Sequence, residues 1–418
     1  MNDERDRQWI EVAVKAARPQ AVGALLRYFR DLDIAEEAFQ EACLRALTTW
    51  PRKGRPRDPA AWLIWVARNA GIDDLRRRKT MEGPPDDIAV PAADTEAALA
   101  DRLDGAAYHD DILRLLFTCC HPELPVQQQI ALALRIVSGL SVVEIARAFL
   151  ISESAAEQRI TRAKRRIAEA GLPFELPGAT ACAERVTAVA AMIYLLFNEG
   201  YSASGGTLHM RLPLCEEAIR LARLLLRLFP GDCEVMGLTG LLLLQHARAA
   251  ARLDADQAIV LLEDQDRGRW DRKLIGEGLF LVEKAGRHQR AGPLQVQAAI
   301  AAVHARAGHP EETDWTQIEQ LYALLETLQP SPIVTLNRAV AVSKAHGPQK
   351  ALALIEPLAD RLSSYFNFHG VKGALLAQLG RADDARVALN RAIVLARTPA
   401  EAAHIRLQLD QLLRDRES

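Results

Sequence analysis

Apolar residues recur at spacings of three and four along nearly the whole 418-residue chain, and strand-like alternation is scarce. That periodicity presents one stripe per helix and predicts an all-α protein. Between residues 10 and 30 the stripe is Ile10, Val14, Ala17, Val22, Leu25, Leu26 and Phe29. Further helices are expected over 34–49 and 59–79, with PRKGRPRDP, residues 51–59, as the loop between them. In the second helix Ala35, Ala38, Ala42 and Leu47 are placed to face the core. With 49% apolar and 25% charged residues the chain can build a core, and its length suggests several domains.

A net charge of −2 excludes a global polycation, so any nucleic-acid binding must come from local basic clusters. The N-terminal MNDERDRQW lacks the apolar core of a secretory signal, and the longest apolar run, Met236 to Gln245, is far too short to span a bilayer. The expectation is a soluble, cytoplasmic protein that makes no membrane contact. Six cysteines, at 43, 119, 120, 182, 215 and 233, form no CxxC pair and read as small buried apolar residues. Cys119-Cys120-His121 invites a metal, but adjacent cysteines chelate one ion poorly and Pro122 follows directly; a helix end with buried thiols is the better reading. No Gly-rich phosphate loop, HExxH or GxSxG occurs, which argues against an enzyme and implies no cofactor.

Composition changes over residues 80–104, where Pro84, Pro85 and Pro91 accompany Glu82, Asp86, Asp87, Asp94, Glu96 and Asp101, as in a flexible acidic linker. A compact helical unit follows from Asp110 to Gly171, then a break at Gly171, Pro173, Pro177 and Gly178. From Ala181 onward short helices alternate with turns. Ala339, Gly347 and Ala351 have counterparts 34 residues on at Gly373, Arg381 and Ala385, the tetratricopeptide period, with Leu379-Gly380-Arg381 as a turn and Ala392 one helical face further. A looser copy runs through Ala218, Leu225 and Pro230.

The sharpest local signal is GLSVVEIARAFLISESAAEQRITRAKRRI, residues 139–167. Ser141 and Glu144 have capping-box spacing, and Val142, Ile145, Ala146 and Phe149 form an inner face. Leu150-Ile151-Ser152 makes a tight turn. A second helix starts with Ser152 or Ser154 as its cap, Ser154 and Glu157 again having box spacing; Ala156, Ile160, Ala163 and Ile167 face inward. Outside lie Gln158, Arg159, Arg162, Lys164, Arg165 and Arg166. A solvated basic helix would look similar, but a capped helix, a short turn and a basic second helix together point to a helix-turn-helix that reads the DNA major groove.

DIAEEAFQEACLRALTTW (residues 33–50) resembles the polymerase-binding helix of bacterial σ factors through its AEEAFQEA core. AWLIWVARNAGIDDLRRRK (61–79) resembles the next σ element, and the helix-turn-helix resembles the family's −35-reading domain. The order is similar to that of the extracytoplasmic-function class. FTCCHPELP (117–125), YLLFNEGYSAS (194–204) and LLEDQDRGRWD (261–271) further resemble its subgroup with a C-terminal tetratricopeptide-like extension.

The resemblance implies core RNA polymerase, through its β′ coiled coil and β flap, and promoter DNA as partners. It implies that Glu37, Gln40 and Glu41 face the polymerase, an acidic ridge suited to an arginine-bearing helix; an ordinary solvated helix face would carry the same residues. It assigns −10 DNA to Arg52, Lys53, Arg55 and Arg57 in the loop and to Asn69, Arg76, Arg77 and Arg78, with Lys79 ending the run. Trp62 and Trp65 are stacking platforms under this resemblance, although two tryptophans at that spacing are more often core. It assigns −35 reading to Ser154, Glu157, Gln158, Arg159, Arg162, Lys164, Arg165 and Arg166. Ala155-Ala156-Glu157 departs from the family's usual threonine-led start, which puts the base preference in doubt. The acidic linker would mimic RNA in a positively charged polymerase channel, or act as a plain spacer.

The expected division is therefore residues 1–80 for polymerase and −10 binding, 81–108 as linker, 109–171 for −35 binding, and 172–418 as a helical-repeat domain. The repeat domain's polar signatures are Asn198, Glu199 and Tyr201; Glu263, Asp264, Asp266, Arg267, Trp270 and Asp271; and Asn337 with Arg338. They suit a groove for a regulatory protein or ligand, and equally a set of helix caps and ion pairs. Two other functions fit: a helix-turn-helix regulator with a repeat sensor that does not bind polymerase, and a repeat scaffold with no DNA role.

Overall fold

The computed structural model describes residues 2–80, 105–149, 151–170, 179–201, 211–254, 260–396 and 399–417. The acidic, proline-bearing stretch, the break at Gly171–Gly178, Leu150 of the tight turn and the end of the 194–204 motif lie outside them. The described residues are helical, without a β-strand, as the spacing predicts. They form two units, Met1–Ile193 and Tyr194–Ser418. No described helix is long and apolar enough to cross a membrane.

In the first unit α1 (Asn2–Phe29), α2 (Leu32–Lys53) and α3 (Pro59–Thr80) pack on one another around Leu25, Leu26, Phe39 and Leu63. The Asp31 carboxylate starts α2 by accepting from the Asp33 and Ile34 amides at 2.8 and 3.0 Å. Asp58 starts α3 in the same way, accepting from Ala60 and Ala61. The sequence-based end of α2 is too early. The helix continues through Pro51 to Lys53 and stops at Gly54, whose φ of +90° suits a residue without a side chain and whose N–H reaches the Trp50 carbonyl at 3.0 Å. Trp50 anchors that extra turn between the rings of Trp9 and Trp62, at 5.5 and 5.2 Å.

Then come α4 (Gly105–Cys119), α5 (Val126–Ile136), α6 (Val142–Phe149) and α7 (Glu153–Glu169). The Ser141–Glu144 capping box is present: the Ser141 amide donates to the Glu144 carboxylate at 2.7 Å and the Glu144 amide to Ser141 Oγ at 3.2 Å. The Ser141 amide and hydroxyl, each donating to the Glu144 carboxylate at 2.7 Å, hold that carboxyl below its ordinary pKa. Ser152, not Ser154, caps α7, accepting from the Ala155 amide at 3.2 Å, so Ser154 sits inside the first turn. Ala156, Ile160, Ala163 and Ile167 are all buried, as their spacing predicts. The helix α8 (Ala179–Tyr201) contains the point where the two units divide.

The second unit continues with α9 (Leu212–Leu228), α10 (Cys233–His246), α11 (Arg272–Gly286), α12 (Pro293–Arg306), α13 (Trp315–Leu328), α14 (Pro332–His346), α15 (Pro348–Ile355), α16 (Phe366–Gln378), α17 (Ala382–Leu395) and α18 (Pro399–Glu417). The 34-residue spacing corresponds to two successive helical hairpins, α14–α15 and α16–α17. Ala339, Ala351, Ala385 and Ala392 are fully buried where helices cross. A Cβ on Gly373 would stand 2.7 Å from the Leu389 side chain, and Gly380 turns the second hairpin with φ +72°. Cys119, Cys120 and Cys215 are buried, but Cys43, Cys182 and Cys233 are half-buried, so the uniform reading of the cysteines as core residues needs correction.

Candidate nucleic-acid interface

On α2, Glu37 and Gln40 are exposed and Glu41 is half-exposed; Glu41 accepts from Arg45 Nε at 2.9 Å, and Gln40 donates to Glu36 Oε1 at 3.3 Å. Residues three and four apart share a helix face, so Leu44 joins this ridge and Leu47 continues it. Leu44 is 61% exposed and Leu47 50%. Leu47 therefore does not face the core as its apolar character suggests; Ala42, Ala46 and Trp50 take the inward positions. The result is an acidic ridge with an apolar flank.

At the far end of α2, Arg52, Lys53, Arg55 and Arg57 are all exposed, forming a basic tip on the α2–α3 loop. The Arg55 guanidinium lies 4.6 Å over the Trp9 ring. In α3, Asn69 and Arg76 are partly buried. Arg77 and Arg78 belong to the helical backbone, but their side chains lie outside the description. Trp62 and Trp65 are half-buried, and Trp62 packs edge-on against Trp50. Arg68, which sequence reasoning passed over, is exposed on α3 and stacks 4.4 Å over Tyr28.

On α7, Ser154, Glu157, Gln158, Arg162, Arg165 and Arg166 are exposed and Arg159 is half-buried. Arg165 lies 3.5 Å from Glu169, an exposed pairing of small energetic weight. Lys164 differs from its neighbours. Its Nζ lies 2.5 Å from Asp33 and 2.9 Å from Glu36, both on α2. Burial works against its ammonium, but the bonds to the two carboxylates prevail and raise its pKa.

Glu36 is the residue the sequence reading missed. It is 4% exposed and takes Arg135 at 2.7 Å and Arg18 at 3.6 Å as well as Lys164. The signal was available: a carboxylate between Ala35 and Phe39 on the apolar face of α2, and an arginine beside Ala17 on the apolar face of α1. Charges in such positions require partners.

At the end of α4, burial pushes the Cys119 thiol far above its ordinary value and that of Cys120 up to about 12. Among the described residues no group of three or more His, Cys, Asp or Glu side chains is placed to hold a metal ion.

Three family models match. Residues 13–80 match σ70 region 2, residues 114–167 match σ70 region 4, and residues 185–286 match a family of unknown function, DUF6596. The ridge and basic tip fall in the first segment and the helix-turn-helix in the second. The described fold thus carries σ70 region 2 and region 4 domains followed by a helical C-terminal domain.

The chain belongs to one family with uncharacterized protein R00370 of Rhizobium meliloti (strain 1021), to which it is 65% identical over 408 residues, covering 97% of this chain and 96% of that protein. It is also 33% identical over 140 residues to the ECF RNA polymerase sigma factor BldN of Streptomyces coelicolor, covering 32% of this chain and 48% of that protein. Together the two domains and this relative support a σ-factor role of the extracytoplasmic-function type.

Proposed function

We propose that the chain is a non-catalytic transcription initiation factor of the cytoplasm that binds core RNA polymerase and directs it to −35/−10 promoters. The observation that carries this reading is the joint exposure of the acidic ridge on α2 and the basic face on α7 in a chain with σ70 regions 2 and 4. Glu37, Gln40 and Glu41 grip the β′ coiled coil, with Leu44 and Leu47 adding apolar contact, and the helix-turn-helix domain meets the β flap. Arg52, Lys53, Arg55 and Arg57 take the −10 strand, supported by Asn69, Arg76, Arg77 and Arg78. The exposed face from Ser154 to Arg166 reads −35, with Glu157 and Gln158 near base edges and the arginines on phosphates. The working division is residues 1–80, 81–108, 109–171 and 172–418, the second serving as the acidic linker.

The C-terminal domain regulates or supports this module as a tetratricopeptide-like array. A groove of about 850 Å³ in the second unit supports that role: its lining includes Glu263, Asp264, Arg267, Asn337 and Lys344 together with Trp315 and Phe366. Other polar signatures there are structural. Asp271 caps α11, Arg338 pairs with Glu319 and Glu326, and Glu199 pairs with Arg211.

The test is co-purification of the full-length chain with core polymerase, followed by run-off transcription. Wild type is expected to bind core and initiate at its promoter, and Arg159→Ala plus Arg162→Ala to lose promoter-specific initiation while still binding core. Failure to bind core would return the chain to the class of polymerase-independent DNA regulators.

A further inference from the structure

The groove in the second unit draws its lining from α12, α13, α14, α16, α18 and the loop over residues 261–267. Half-buried Trp315, Tyr322, Val340, Phe366 and Val371 are part of it. Four side-chain amides also line it, and each keeps hydrogen-bonding capacity to spare. Asn337 is exposed and has no partner among the described residues. Asn367 donates to Tyr365 Oη at 3.0 Å, which leaves its own oxygen open. Gln378 accepts from Ser343 Oγ at 3.3 Å, which leaves its N–H groups open. Gln408 meets His404 through its nitrogen at 3.2 Å, while its oxygen is buried with no partner among the described residues. A buried acceptor without a donor is costly, and a donor brought by a ligand would satisfy it.

The charges of the groove are unequal. Arg267 is 7% exposed and spends its guanidinium on the His304 and Ala307 carbonyls at 2.7 and 2.6 Å. The same guanidinium donates to Thr313 Oγ1 at 3.4 Å, which brings the loop of Asp264 beside the turn that carries Glu311. Asp264 and Glu311 are exposed and have no cationic partner among the described residues. The accessible surplus is therefore negative. Lys344 shows what such a surface holds: its ammonium lies 6.0 Å over the Trp315 ring and 2.6 Å from Glu263. An aromatic face beside a carboxylate is a seat for a cation. Both members of that ion pair are exposed, so it is weak and a competing cation can take the seat.

We propose that this groove binds an extended, cationic segment of a partner protein. The side-chain amides of Asn337, Asn367, Gln378 and Gln408 bond its main chain, which offers both a donor and an acceptor at nearly every residue. Its apolar side chains cover Trp315, Tyr322 and Phe366. A lysine or arginine of the segment displaces Lys344 from Trp315 and Glu263, and Asp264 and Glu311 add to the attraction. A small metabolite suits the lining less well: such sites converge a few polar groups on one ligand, whereas these amides come from three helices, α14, α16 and α18. An acidic peptide would set like charge against Asp264 and Glu311. The consequence for transcription rests on the proposed regulatory role of this domain, but the ligand's chemistry follows from the groove alone.

The test pans a library of short, end-capped peptides of randomised sequence on the full-length chain and measures the selected peptides by fluorescence anisotropy. Lysine and arginine are expected to be enriched over aspartate and glutamate, beside large apolar residues. Lys344→Met vacates the cation seat and is expected to tighten the selected peptides at least threefold. Asp264→Asn together with Glu311→Gln, which alters exposed side chains only, is expected to weaken them at least tenfold and to flatten their salt dependence. Gln408→Leu is expected to weaken them without changing that salt dependence; if it fails to keep its helical circular dichroism, Asn337→Ala puts the same question from an exposed position. Selection of acidic peptides, selection of none, or a Lys344→Met chain that binds no more tightly would overturn the assignment. Co-purification with core polymerase is scored separately. A chain that takes cationic peptides but not core would sink the σ reading and leave the groove's ligand standing, and a chain that takes core but no cationic peptide would do the reverse.

Discussion

Arg18 Nε donates to the Ile136 carbonyl at 2.9 Å, tying the first helix of the chain to the end of a helix 118 residues away. The same guanidinium stacks 5.0 Å over Phe39 and lies 3.6 Å from Glu36, and its aliphatic stem fills the space over Gly139. Replacing Arg18 with Met keeps the stem and removes the charge, leaving Glu36 short of one partner and two helix-end carbonyls without theirs. The expected cost is about 3 kcal/mol. Denaturant unfolding followed by tryptophan emission reads it well, because Trp9, Trp50, Trp62 and Trp65 lie in this unit and Trp270 and Trp315 in the other. An unchanged first transition for Arg18→Met would show that the bridge carries no stability.

The helices and their inward faces were legible because period and burial follow from the same physics. Ala156, Ile160, Ala163 and Ile167 point inward because no other face of α7 is apolar. The exposed ridge of Glu37 and Gln40 followed for the same reason. Leu47 was misread because an apolar residue was assumed to seek the core, whereas helix geometry places it on the ridge side. The cluster of Asp33, Glu36 and Lys164 was not legible as a contact: Lys164 is 131 residues from Asp33 and 128 from Glu36, and no local pattern states which buried charges will meet. Its ingredients were visible as charges on apolar faces. Ser154 and Ser152 both had the chemistry of a cap, and only the backbone at the turn decided between them.

The thiols divide by burial. Cys119, Cys120 and Cys215 are enclosed and their pKa values raised, to about 12 for the last two, so the reactive thiolate is rare near neutral pH. Cys233 and Cys182 are partly open to solvent. Brief alkylation of the native chain at neutral pH, read by peptide mass spectrometry, is expected to modify Cys233 and Cys182 at least tenfold faster than Cys119, Cys120 or Cys215. Equal rates would mean that the end of α4 opens freely in solution.

Two glycines of the α16–α17 hairpin separate crowding from backbone strain. Gly373 lies against Leu389, so Gly373→Val forces the helices apart and is expected to cost about 1–3 kcal/mol. Gly380 has open space around it but a φ of +72°, so Gly380→Ala is expected to cost about 1 kcal/mol through strain alone. Thermal unfolding of the two variants should rank Gly373→Val as the more damaging. The reverse order would place the hairpin's constraint in its turn.

The second unit carries a built-in acid sensitivity centred on His304. Burial, followed by the nearby Arg248 and Arg267 guanidinium groups, depresses its pKa to about 4 from an ordinary 6.5. A proton is therefore bound more readily in the unfolded chain than in the folded one between those two values. Linkage then requires the folded unit to lose stability as pH falls from about 6.5 towards 4, and to lose nothing further from this group below the folded value. His246 and His404 are also depressed by burial and add to the same slope. Substituting Gln for His304 removes one titrating ring. Whatever it does to absolute stability, the fall in unfolding free energy between pH 6.5 and pH 4, measured by denaturant titration of the second transition, is expected to be shallower than in wild type. An identical slope would mean that His304 takes its proton in the folded chain as readily as in the unfolded one, and that the arginines beside it are screened by water.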